Sequence, residues 1–179
     1  KVRKVGPATT SGRIADLALD AQNPGTMYLA LASSGVWKNT NNGTTFEPVV
    51  DNEGSYSTGC IAIDPNNSNV IWVGTGENNN QRSVAYGDGL YVSRDAGKSW
   101  TKSGLESSEH IGMIAIDPTD GNHIYVAAYG PLWSSGGERG IYESQNGGQT
   151  WTRILFVDEH TGFNEVHIDP RNPKTLYAT

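Results

Sequence analysis

Apolar and polar residues alternate along this chain with a period of two, and no stretch sustains the 3.6-residue period of an amphipathic helix. Short apolar runs recur, each closed by an Asp. They are residues 14–19 ending at Asp20, then Ile61-Ala62-Ile63-Asp64-Pro65, Ile114-Ala115-Ile116-Asp117-Pro118 and Val166-His167-Ile168-Asp169-Pro170. Asp at a strand end accepts hydrogen bonds from turn amides and the following Pro presets φ, so each run reads as a strand A entering a turn. A second apolar strand B follows at residues 27–32, 70–75, 124–129 and from Leu176 onward. A third, strand C, opens with Gly, an aliphatic residue and an aromatic one: Gly35-Val36-Trp37, Gly89-Leu90-Tyr91 and Gly140-Ile141-Tyr142. Eight residues after each opening Gly stands a turn Gly, at 43, 97 and 148. The pattern predicts a second strand, D, after that turn, and a four-stranded antiparallel unit copied in tandem.

The turn between strands C and D carries the most regular signal. Ser93, Asp95, Gly97 and Trp100 stand at fixed offsets in SRDAGKSW (93–100); Ser144, Asn146, Gly148 and Trp151 repeat them, and Asn39, Asn41, Gly43 and Phe46 form a looser copy. Asp or Asn can fold its side chain onto turn amides while the Gly takes positive φ. This series resembles the Asp-box, or bacterial neuraminidase repeat, of β-propellers, and the tandem is most similar to the sortilin-like propellers often labelled glycosyl-hydrolase repeat proteins. Photosystem assembly-factor propellers and oligoxyloglucan-processing glycosidases have similar blades. The resemblance implies a secreted, periplasmic or cell-surface location, a multi-blade parent and, for sortilin-type members, ligand binding rather than catalysis.

An all-β propeller of four-stranded antiparallel blades is therefore expected, with an edge strand and loop at 1–13 and blades at 14–50, 60–104 and 111–156. A fourth blade starts at 165–179. Propellers close with about four to eight blades, so the chain is expected to be a fragment completed by the remaining blades of a parent or by other chains. Spacing varies in one place only. From turn Gly to the next strand-A Asp it is 21, 20 and 21 residues, whereas from that Asp to the next strand-C Gly it is 15, 25 and 23. The insertions fall in the B–C loops at 76–88 and 130–139. In an up-and-down sheet the B–C and D–A connections share one rim, opposite the Asp-boxes, and a functional site is expected there.

Composition narrows the chemistry. The net charge of −6 argues against a nucleic-acid partner. No apolar run of 18 residues is present, so direct membrane insertion is not expected. The one cysteine, Cys60, lies in an apolar run and reads as a small buried hydrophobe. Ligand contacts are expected from Arg13, Glu77, Asn79, Arg82, Tyr86, Asp88, His110, Trp133, Arg139 and His160, a mixture suited to a protein, peptide or carbohydrate ligand. Arg13, Arg82 and Arg139 invite comparison with the carboxylate-gripping arginines of sialidases. The alternative is a glycoside hydrolase with Glu77, Asp88 and Glu138 supplying its acids, or with acids in other blades. In an enzyme two of these should pair in an axial cleft; in a binder they should be spread apart or held by arginines. His110 and His160 each follow a Glu but have no third ligand, so no metal or cofactor is expected.

Overall fold

A computed structural model of the chain describes residues 13–78 and 84–179. The edge strand expected before residue 13 and the candidates Asn79 and Arg82 lie outside the described residues. The first sheet is β1 (Ile14–Leu19), β2 (Met27–Leu31), β3 (Gly35–Asn39) and β4 (Glu47–Pro48), hydrogen-bonded in that order. The second is β5 (Thr58–Ile63), β6 (Ile71–Thr75), β7 (Leu90–Ser93) and β8 (Thr101–Lys102). The third is β9 (Ile111–Asp117), β10 (Asp120–Ala128), β11 (Gly140–Ser144) and β12 (Thr152–Leu155), and a hairpin β13 (Val166–Asp169) with β14 (Asn172–Ala178) follows. Every pairing is antiparallel. The chain is part of a β-propeller. β14 begins four residues before the apolar pattern signals it, because Asn172 pairs with Asp169 across a register shift that takes in Pro173.

Period-two alternation builds the core between sheets. In β10, Ile124, Val126 and Ala128 face the second sheet, where they pack with Cys60, Trp72 and Leu90. Tyr125 and Ala127 point the other way, onto Phe163 and Val166. In β6, Ile71 and Val73 join Tyr28, Ala30, Val36 and Tyr91 between the first two sheets, while Trp72 serves the next interface. Each blade is thus buried by its neighbours on both faces. Where the described residues supply no neighbour, the same pattern leaves apolar side chains exposed: Ile14, Leu17 and Leu19 at one end, Ile154, Phe156 and Tyr177 at the other.

The C–D turns share one geometry. Gly97 N–H donates to Ser93 Oγ (2.8 Å), Gly148 N–H to Ser144 Oγ (2.9 Å) and Gly43 N–H to Asn39 Oδ1 (2.7 Å). Asp95 Oδ1 accepts from the amides of Lys98 and Ser99; Asn146 and Asn41 accept the matching amides of Thr150 and Thr45. The looser first copy therefore makes the same turn, since an Asn carboxamide offers the same acceptor as a Ser hydroxyl or an Asp carboxylate. The closing Trp reaches back one blade. Trp100 Nε1–H donates to Val49 O (2.8 Å) and Trp151 Nε1–H to Ser103 O (2.5 Å).

Backbone bonds fix which connections share a rim. The C–D turns bond the A–B turns of their own blades, through Asn42 N–H to Gly25 O, Ala96 N–H to Asn69 O and Gly147 N–H to Asn122 O. At the other rim, Ala32, Gly76 and Tyr129 donate to the carbonyls of Arg13, Ser57 and His110. The two long loops thus emerge together, opposite the Asp-boxes.

Candidate functional site

Two adjoining hollows open on the long-loop rim. One, about 540 Å³, lies where the starts of the inner strands converge, lined by Asp16, Gly59, Asn78, Gly112, Tyr129 and Glu165 among others. Its glycines let the backbones approach: a Cβ on Gly59 would meet Ile111 O at 2.3 Å, and one on Gly112 would meet Asn164 O at 2.3 Å. The other hollow, about 500 Å³, is lined by Tyr129, Pro131, Trp133, Ser134, Arg139 and His160. Tyr129 borders both, so the two adjoin at that side chain.

The charged residues expected to meet a ligand are mostly engaged with the protein itself. Glu77 is 2% exposed, and its carboxylate takes two N–H groups of Arg13, Nε at 2.7 Å and Nη2 closer still. Asp88 accepts from Tyr91 Oη (2.7 Å) and pairs with Lys102 (2.7 Å). Burial, then the Asp88 hydrogen bond and charge, push the Tyr91 phenol up to about 12. Glu138 accepts both the amide and the hydroxyl of Ser107, each at 2.9 Å. The three acids thus have three separate sets of partners. Arg139 is 4% exposed and donates to the carbonyls of Tyr129, Pro131, Ser134 and Gly136. Neither described arginine offers a free fork to a carboxylate, and the sialidase-like cluster does not form from them.

His110 is fully buried beneath the rim. Its ring lies 5.8 Å from that of Tyr86. Burial pushes its pKa below the usual histidine value, against the opposing pull of the Glu77 backbone and charge. It is a packed ring that does not reach solvent. His160 is exposed, 3.5 Å from Glu159, at the edge of the Trp133 hollow. No group of three His, Cys, Asp or Glu among the described residues is arranged to hold a metal ion.

What the rim does present is aromatic surface. Trp133 is 72% exposed, and Tyr86 and Tyr56 are also open to solvent. The carboxylates nearest the axis, Asp16 and Glu165, were not singled out by the sequence reading. Asp16 is committed to the amides of Leu17 and Ile61, whereas Glu165 is exposed, with its carboxylate 3.3 Å from His167. Counting four residues back from each strand-end Asp gives Asp16, Cys60, Met113 and Glu165. Two acids standing where the other copies carry apolar residues were a readable signal.

Known proteins place this arrangement. Residues 91–102 match the BNR/Asp-box repeat family. The chain is 27% identical over 195 residues to a xyloglucanase of Hypocrea jecorina (strain QM6a), an alignment covering 89% of this chain and 22% of that protein. It superposes on an ancestral GH74 enzyme with a TM-score of 0.76 and 28% identity, covering 93% of this chain and 22% of the other. The Niastella koreensis GH74 enzyme gives a TM-score of 0.69 and 26% identity, covering 92% and 25%. The chain thus spans less than a quarter of the xyloglucanase it matches. It is an Asp-box repeat propeller similar to glycosyl-hydrolase-labelled proteins.

Proposed function

We propose that this part of the propeller binds a neutral polysaccharide chain, of the xyloglucan type its relatives are named for, across the long-loop rim. The observation that carries the reading is Trp133, 72% exposed beside a polar hollow that shares the Tyr129 wall with the axial one. An exposed indole offers a flat apolar face for the C–H surface of a sugar ring, and neighbouring polar groups can meet its hydroxyls. The engaged arginines favour a neutral glycan over the acidic peptide or sialic acid that a free guanidinium would grip. An extracytoplasmic location goes with such a ligand. Among the described residues no helix is long and apolar enough to cross a membrane.

Hydrolysis would need two carboxylates flanking the bound chain, and the described acids of the long loops are tied into the scaffold. This region therefore holds the glycan, and acids elsewhere in a parent protein would cleave it. The test is calorimetric titration of the full-length protein with xyloglucan and cellulose oligosaccharides. Trp133→Ala should weaken binding about tenfold or more, as expected for loss of an aromatic anchor. Absence of binding to any neutral glycan, or an unchanged affinity in the variant, would overturn the reading.

A further inference from the structure

Arg139 stands at the end of the 130–139 loop, next to β11, and its side chain folds back inside that loop. Nε donates to Gly136 O (2.9 Å), Nη1 to Tyr129 O (2.8 Å) and Nη2 to both Ser134 O (2.6 Å) and Pro131 O. One nitrogen thus holds the carbonyls at 131 and 134, and the residues between them are Leu132 and Trp133. The loop is also gripped from outside: Gly136 N–H donates to Glu159 O (2.8 Å), Glu138 N–H to Ser107 O (3.3 Å), and the Glu138 carboxylate accepts from Ser107. One glycine makes room for the Arg139 side chain and a second lets the loop pack on itself. A Cβ on Gly130 would lie 2.3 Å from Arg139 Cγ, and Gly137 has φ +70 with its Cβ position 2.6 Å from Pro131. A cation 4% exposed, surrounded by carbonyl oxygens, thus carries on its outer side an indole that is 72% exposed.

We propose that Arg139 is a positioning residue whose guanidinium fixes the backbone on both sides of Trp133, so that the ring is presented as a rigid platform to the ligand. A binding surface ordered before the ligand arrives avoids the entropy of ordering it on contact, and that saving appears directly as affinity. Lysine cannot take over the role, because its single ammonium has no planar fork to reach four carbonyls at once. The consequence for affinity rests on the glycan reading above; the geometry does not.

The experiment uses full-length protein labelled with 5-fluorotryptophan, with the Trp133 resonance assigned by its loss in Trp133→Phe. In the unmodified protein the Trp133 line should be single and narrow. In Arg139→Gln it should broaden or split while the other tryptophan lines stay in place, and xyloglucan-oligosaccharide affinity should fall about tenfold. Arg139→Lys should sit between the two on both readouts, and it carries the test if the Gln variant does not fold. An unchanged Trp133 line, or equal movement of all tryptophan lines, would overturn the positioning role. A Trp133 line that responds to Arg139→Gln in a protein that binds no neutral glycan would uphold positioning and overturn the glycan reading instead.

Discussion

The two rims of the molecule solve the same problem in opposite ways. At the Asp-box rim the side chains that shape each turn find partners within a few residues: Ser93, Asp95, Gly97 and Ser99 bond one another, and the two other copies do likewise with different side chains. At the long-loop rim no two loops share a solution. Arg13 meets Glu77 64 residues away, Ser107 meets Glu138 31 residues away, and Arg139 bonds the carbonyls of its own loop. One rim is a local solution that tolerates copying. The other is a set of individual solutions, and there the blades differ most.

That contrast is sharpened by perturbing each rim and its adjoining core in turn. The largest effect is expected from Trp72→Ala, which empties a fully buried position between the second and third sheets and should cost about 3–5 kcal/mol by denaturant unfolding. Gly148→Ala comes next. Its Cβ would lie 2.2 Å from the Trp72 ring at φ +80, so a loss of roughly 1–3 kcal/mol is expected. Trp133→Ala on the opposite rim should leave stability within about 0.5 kcal/mol while weakening glycan binding. If it unfolds the protein instead, the ring is structural and the division between rims fails. The smallest effect concerns acid. Hydrogen bonds from the Ser99 hydroxyl and amide, and from Ser93, hold the Asp95 carboxyl at about 2, below its ordinary 3.8. A depressed folded pKa means stability present above the unfolded value and lost as pH falls from about 4 towards 2. Asp95→Asn, which places the Asn41 and Asn146 solution in the middle copy, should fold normally and flatten that part of the melting-temperature profile. A steep drop for Asp95→Asn at neutral pH would show that the three turns are not interchangeable.

The same contrast explains what the amino-acid order revealed in advance. The repeat, the Asp-terminated inner strands, the turns and the gathering of both long loops at one rim all follow from regular spacings along the chain and from local turn stereochemistry. The direction taken by Arg139 does not follow from its spacing. An arginine at a loop end can face solvent or turn inward, and here four carbonyls of its own loop settle the matter. Glu77 likewise looks like a loop acid until Arg13, far back in the chain, closes over it. Asp16 and Glu165 are within reach of a register comparison between strands, because the matching positions in the other copies are Cys60 and Met113.

The bond from each Asp-box tryptophan to the preceding blade has a further consequence. Trp100 and Trp151 both donate to the carbonyl three positions after the closing aromatic of the blade before. Each copy of the module therefore carries both halves of the joint, a plug on one side and a socket on the other. Duplication of the coding segment delivers matching halves at every new seam, so ring size can change without any seam being redesigned.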